Sequence, residues 1–302
     1  MRKVIIDIMH PAHLNFFKRL ILSQGDNGCQ FIICILNRGK LIDIAQKELE
    51  NAELIEVGKH RGTKISIIFS ANIFKFFKLF IIVLREKPDI GLSFGSFVLG
   101  AVCKILRIKN IQFDDDPERK VNVFLERLTA NELYFPPIFT AKEIPPKAKV
   151  FNALKEWAYL SPKFFVPDEN VLKQYGVEKK SYIFVREVSS GSLNYSGQSS
   201  NLVASFCHKL SDGYNVILSL ENKNTRALYP SDWVLLEEPV EHIHSIMYFA
   251  RAAISSGDSM AREAAMLGVP SVYCGFRDMR ANKLLVDKGM LFEIKSENTP
   301  VY

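Results

Sequence analysis

Two groups of residues have the types and spacing for chemistry. The first lies in Ile254–Cys274, ISSGDSMAREAAMLGVPSVYC. Gly257-Asp258-Ser259 reads as a tight turn with an N-cap, Met260–Leu267 as a helix, and Gly268-Val269-Pro270 as its stop. Strands Ala252–Ser255 and Ser271–Cys274 flank it. A helix start built from Gly and Ser, without a bulky side chain, aims free N–H groups outward and can seat a diphosphate. Glu263 follows Ser259 by four residues and shares its helix face. Its carboxylate can accept hydrogen bonds from ribose hydroxyls. An ordinary capped βαβ unit has the same spacing. The second group is His10 and His13, which follow a buried strand at Val4–Ile8 and precede a helix at Leu14–Leu22. Ligands of open α/β folds sit outside the carboxyl ends of strands. Either histidine can act there as a general base or donate to a phosphate near neutral pH. The structural alternative is that one caps the helix and the other packs.

Further candidates recur at strand ends. Arg186 ends a strand at Ser181–Val185 and is a permanently charged, bidentate partner for a diphosphate. His244 stands at the start of a helix at Ser245–Phe249 and is a candidate nucleotide contact. Gly95-Ser96, after a strand at Ile90–Ser93, form a second glycine turn before a helix at Phe97–Leu106. Lys59, in the loop Gly58-Lys59-His60-Arg61-Gly62, can reach a phosphate, although a solvated turn is the commoner case. Asp114-Asp115-Asp116 could hold a divalent metal. An acidic N-cap cluster for a helix at Glu118–Arg127 explains them better. No third ligand accompanies the two histidines at zinc spacing, so no metal is expected.

Strands alternate with helices throughout, which predicts two doubly wound parallel sheets facing across a cleft. The 302 residues suit two domains. Pro136, Pro137, Pro145 and Pro146 mark a boundary between residues 1–150 and 151–302. Helices are also expected at Asn170–Tyr175 and Asn201–Leu210. Five scattered cysteines without a CxxC fit a reduced, cytoplasmic compartment. Residues 1–150 hold 23 Lys+Arg against 16 Asp+Glu, and residues 151–302 hold 16 against 17. The basic first half implies an anionic partner: an acceptor, a phosphorylated lipid or the inner face of a membrane. No motif for nucleic acid is present, so none is expected as a partner. Ile65–Glu86 is the most apolar stretch, with five Phe and with Lys75 and Lys78 inside it. It reads as a core helix with one lysine-bearing face rather than a spanning one, with peripheral membrane contact as the alternative.

The GDS segment resembles the nucleotide-sugar segment of two-domain glycosyltransferases and of non-hydrolysing UDP-GlcNAc 2-epimerases. Along the whole chain a set of motifs resembles the family called domain of unknown function 354. They are D-I-x-H-P-A-H (Asp7–His13), V-G-K-H (Val57–His60), P-D-I-G-x-S-F-G-S (Pro88–Ser96), K-E-x-x-Y-L (Lys155–Leu160), F-x-P-D (Phe165–Asp168), V-R (Val185–Arg186), I-H (Ile243–His244) and Gly257–Pro270. The resemblance implies the GT-B fold, two Rossmann-like domains, and work near surface-polysaccharide synthesis. It implies a metal-independent glycosyltransferase without a cofactor. Its nucleotide diphosphate sugar, UDP-linked by expectation, would be bound by Arg186, His244, Gly257, Asp258, Ser259, Met260 and Glu263. His13 or His10 would be the base. Gly95, Ser96 and Lys59 would lie on the side of a lipid-linked or anionic glycan acceptor. An epimerase or hydrolase on the same fold, or a non-catalytic binding protein, are the alternatives. Where the family tends to carry His-Asp after Val-Arg, this chain reads Ser192-Leu193-Asn194-Tyr195.

Overall fold

The computed structural model describes residues 2–49, 52–59, 65–145, 148–189, 198, 201–210, 213–237, 240 and 242–294, the side chains of 65–70 and 208 excepted. The chain divides into two units, Met1–Tyr159 and Leu160–Tyr302, so the first runs on past Val150.

The first unit alternates β1 (Arg2–Ile8), α1 (Pro11–Gly25), β2 (Cys29–Asn37), α2 (Leu41–Glu48), β3 (Leu54–Lys59), α3 (Ile65–Glu86), β4 (Ile90–Phe94), α4 (Phe97–Ile105), β5 (Lys109–Phe113), α5 (Lys120–Thr129) and β6 (Glu132–Phe135), and closes with β7 (Lys149–Val150). Its seven strands pair in parallel in the order β3-β2-β1-β4-β5-β6-β7. Apolar residues run without a break through β1 because both faces of a parallel sheet are covered. Ile6 and Ile8 pack under α1 and α2 against Leu14, Phe17 and Leu41. Ile5 points the other way, into Leu79, Val83, Leu99 and Val102 of α3 and α4.

In the second unit, α6 (Trp157–Leu160) lies at the division in sequence. There follow β8 (Tyr182–Glu187), β9 (Asn215–Leu220), β10 (Val234–Leu235), α7 (Ile243–Phe249), β11 (Ala252–Ser255), α8 (Asp258–Met266), β12 (Ser271–Tyr273), α9 (Arg280–Asp287) and β13 (Leu291–Glu293). The order is β10-β9-β8-β11-β12-β13, again parallel. Each sheet reverses its winding once, between β1 and β4 and between β8 and β11. Those are the switch points where open sheets leave a crevice.

Several expected elements differ. Residues 201–210 form turns and a short 3₁₀ helix at Cys207–Lys209 instead of an α-helix. Asn201 has φ +60°, outside the right-handed helical region, and the Val203 N–H is taken by the Glu187 carboxylate at 2.7 Å. Glu169–Tyr175 is a 3₁₀ helix between an Asp168 cap and a left-handed Gly176. Helix α5 starts at Lys120 with no acid in its first turn, so Asp114–Asp116 do not cap it. They are buried instead. In α3 the lysine-bearing face is turned inward: Lys75 is buried on Asp7, and the outer face carries phenylalanine. Helix α8 is capped by Gly257 and begins at Asp258, so Ser259 is inside the helix rather than its cap. Helix α7 likewise begins at Ile243, which puts His244 in its first turn. Among the described residues no helix is long and apolar enough to cross a membrane.

Candidate functional site

In the second unit, β8 and β11 run side by side with Arg186 opposite Ser255. Arg186 ends this central strand partly exposed, and its Nη1 donates to Ser219 Oγ at 2.9 Å. That bond aims the guanidinium along the strand ends. Past Ser255 the chain turns tightly. Ser255 Oγ donates to the Gly257 carbonyl at 2.7 Å and accepts from the Gly257 N–H at 3.0 Å. Ser256 Oγ donates to Glu187 at 2.6 Å and accepts from the Val188 N–H at 2.9 Å. Glu187 also accepts from the Tyr229 hydroxyl at 2.8 Å. The turn is therefore fixed from below by a buried carboxylate. Gly275 closes over it: a Cβ there would stand 2.4 Å from the Ser256 carbonyl oxygen. Only a glycine lets the two backbones approach so far.

The N-cap of α8, Gly257, has no side chain to offer its first turn. The N–H groups of Asp258, Ser259 and Met260 belong to its first turn and have no acceptor within the helix. Ser259 and Met260 are partly exposed there. Asp258 would oppose an anion, but it is tied down. Buried Arg262 reaches it at 2.9 Å and Arg277 at 3.6 Å, while Arg262 also donates to Asn282 Oδ1 at 3.0 Å. This i,i+4 pair offsets the carboxylate and leaves the helix dipole to face outward. One turn on, Glu263 is buried, and its Oε2 lies 3.5 Å from His244 Nε2 of α7. The His244 ring in turn meets Phe165 edge-on. Arg186, His244 and the Gly257–Glu263 segment thus belong to adjoining elements at one switch point. Ser219, Glu187, Arg262, Asn282 and Arg277 were not singled out from the sequence. Only the Asp258–Arg262 spacing carried a signal for any of them.

The first unit builds its switch point differently. Asp7 is fully buried at the end of β1. Its Oδ2 accepts from Lys75 Nζ at 2.6 Å and from Ser96 Oγ at 2.5 Å. Its Oδ1 has no hydrogen-bond partner among the described residues. His10 is the N-cap of α1, its Nδ1 accepting from the Ala12 N–H at 3.2 Å. His13 packs its ring against Phe94 at 5.2 Å and lies 6.1 Å from His10, centroid to centroid. Burial, with His10, Lys155, Arg119 and Lys75 around it, holds its pKa well below the ordinary histidine value. His13 is therefore neutral at pH 7, and the same surroundings disfavour its taking a proton. Gly95 turns the chain at φ +60°, and a Cβ there would stand 3.5 Å from Arg119 Nη1. Lys59 ends the edge strand β3, with β2 and β1 between it and β4, so the sheet does not gather it with Gly95 and Ser96. The rest of its loop, His60-Arg61-Gly62, lies outside the described residues, as does Ser192–Tyr195.

The aspartate run is spent within the fold. Asp115 pairs with Lys155 at 2.5 Å. Asp114 accepts from the Asp116 N–H at 2.8 Å. Glu126, buried against Asp114, has its pKa pushed up to about 11 by burial and by that neighbouring charge, so it keeps its proton and donates it to Asp114. Among the described residues no three His, Cys, Asp or Glu side chains are grouped to hold a metal ion.

A family model described as "Protein of unknown function (DUF354)" matches residues 2–298. An uncharacterised protein of Methanocaldococcus jannaschii is 23% identical over 298 residues, 94% of this chain and 85% of that protein. The crystal structure of Methanocaldococcus jannaschii UDP-GlcNAc 2-epimerase in complex with UDP-GlcNAc and UDP matches with a TM-score of 0.68 at 16% identity, covering 97% of this chain and 88% of that one. The glycosyltransferase SnogD from Streptomyces nogalater matches with a TM-score of 0.64 at 14% identity, covering 98% and 87%. At such identities the likeness is one of fold: the two parallel-sheet units of GT-B glycosyltransferases and of these epimerases.

Proposed function

Since the chain belongs to the DUF354 family of proteins of unknown function, we propose its function from the site and the shared fold: it binds a nucleoside diphosphate sugar, UDP-linked, and transfers the sugar to an acceptor hydroxyl. The observation that carries the reading is the β8/β11 switch point. There a helix start whose Gly257 cap brings no side chain, a strand-end arginine and a buried Glu263 beside His244 adjoin one another. In this reading the α8 N–H groups and Arg186 hold the diphosphate, and Glu263 accepts the ribose hydroxyls. The solved epimerase complex of the same fold holds UDP-GlcNAc and UDP.

The transfer runs as a displacement at the anomeric carbon. The acceptor oxygen bonds to that carbon as the carbon–oxygen bond to the diphosphate breaks. The acceptor proton goes to a histidine, His10 or His13, of which burial and nearby cations make His13 the weaker base, and the leaving diphosphate keeps the electron pair. Its charge is met by the α8 dipole and Arg186, fixed before the reaction begins. With Lys75 and Lys155 paired to Asp7 and Asp115, Arg119 is the cation near His13 that suits an anionic glycan or lipid-linked acceptor. The work would belong to polysaccharide or glycoconjugate synthesis.

The test is a thermal-shift series with UDP, GDP, CDP, TDP and CMP on the wild type and on Glu263→Ala. Ligand at 100 times its Kd stabilises by about 2.7 kcal/mol, a shift of a few degrees for a chain of this size. A shift with UDP that Glu263→Ala abolishes is the expected result. No shift with any nucleotide overturns the reading. Turnover of UDP-GlcNAc without an acceptor would move the chemistry to epimerisation or hydrolysis.

A further inference from the structure

We propose that the outer surface of α3, α4 and α5 docks on an anionic phospholipid bilayer. The proposal stands apart from the nucleotide-sugar reading. Along α3, Phe74, Phe77, Ile81 and Leu84 recur every three or four residues and form one stripe, with Phe77 60% and Ile81 63% exposed. The opposite side of the same helix already fills the core with Leu79, Ile82 and Val83. The outer stripe is therefore not needed for packing within the unit. Helix α4 packs beside α3, and α5 beside α4. Helix α5 repeats the pattern with Val121, Phe124 and Leu128, of which Val121 is 74% exposed. Ile105 of α4 adds a further exposed apolar side chain. Monomeric proteins seldom leave so many neighbouring apolar side chains in water without a partner.

The charge on this surface selects the partner. Lys120 and Arg127 of α5, Arg107 just after α4 and Arg85 at the end of α3 are exposed. The three helices hold two carboxylates. Glu86 is engaged by Lys3 and Arg85, and Glu126 is buried and protonated. The described residues of the three helices thus present apolar stripes with cations beside them and no exposed carboxylate, and of the exposed acids that flank them, Asp89 accepts from the Lys3 N–H and Glu118 stands before α5. A second copy of the chain docked face to face would set these cations against their own counterparts. Anionic headgroups meet them with the opposite sign, while Phe and Ile enter the acyl boundary.

The test is flotation of the full chain with phosphatidylcholine vesicles, with and without phosphatidylglycerol, at low and high salt. The expected result is binding to the anionic vesicles that weakens with salt. Lys120→Glu/Arg127→Glu should lower the partition coefficient by roughly twentyfold or more, about fivefold for each lost cation. Phe77→Ser/Ile81→Ser should lower it by about tenfold or more through lost apolar burial. Circular dichroism confirms that each variant is folded. Should the apolar variant unfold, the charge variant alone decides. Binding to neither vesicle, or binding that the variants leave unchanged, overturns the proposal. So does dimerisation of the free chain that Phe77→Ser/Ile81→Ser abolishes, which would assign the face to a second copy.

Discussion

At the end of β1, Asp7 lies buried under Lys75 and Ser96. At the end of β8, Arg186 leans on Ser219 and stays partly exposed. The two strands hold equivalent places in their sheets, each the central strand beside a reversal of winding. The first unit spends its strand-end charge on internal structure: a buried ion pair ties α3 and the start of α4 to β1. The second uses a buried carboxylate, Glu187, to fix the turn from beneath, and keeps its cation and its helix start at the surface. Topology thus supplies a crevice twice, and side-chain chemistry decides which one offers groups to an anion. In the first unit what is offered is a neutral histidine whose burial and neighbouring cations oppose its protonation. In the second it is fixed positive charge, suited to holding a diphosphate.

Three experiments press on this contrast. Lys75→Met should have the largest effect, because it leaves Asp7 buried without its cation. The expected loss is about 3–5 kcal/mol, read by chemical denaturation, with the fold of the first unit at stake. A loss below about 1 kcal/mol would mean that the first switch point is not held by this pair.

Glu126→Gln tests the neighbouring buried acids. Glu126 is raised from its ordinary value to about 11. Between the unfolded value and the folded one, the native state holds a proton that the unfolded state releases. Wild-type stability therefore falls as pH rises above about 4.5, by up to about 1.4 kcal/mol per pH unit. Glutamine can donate to Asp114 and accept from Asn122 without titrating. The variant should match the wild type near pH 4.5 and exceed it by up to about 3 kcal/mol at pH 7. Parallel stability–pH curves would refute the proton assignment.

The smallest of the three is Arg186→Ala. It should weaken UDP binding by about 1.5–3 kcal/mol, the worth of a charged hydrogen bond, and barely move the melting temperature of the unliganded chain. Calorimetric titration measures it. Unchanged affinity would separate Arg186 from the nucleotide and remove the functional half of the comparison.

Much of the fold was legible because parallel sheets write a plain pattern. Continuous apolar strands alternate with amphipathic helices, and Gly, Ser and Pro mark the joints. The bounds of α3 at Ile65–Glu86 and β11 at Ala252–Ser255 could be read directly. The stretch at 201–210 could not. Its start is tied instead to Glu187, 16 residues earlier, which takes the Val203 N–H. Aspartates 114–116 were open to a capping or a metal-binding reading, and their burial against Lys155 and Glu126 fits neither.

The sequence by itself determined the alternation of elements, the glycine turns at Gly95 and Gly257, and the presence of His10, His13, Arg186 and Glu263 near strand or helix ends. Those are local properties, set by periodicity and by the few residues that tolerate a sharp turn. Only the tertiary structure decided that Lys75 faces Asp7 across 68 residues, that His244 meets Glu263, and that Arg262 holds Asp258 against Asn282. The long-range partners follow from crossover connections that bring distant strand ends and helices together. A buried charge in a linear sequence declares that it needs a partner, but the fold alone says which one it has.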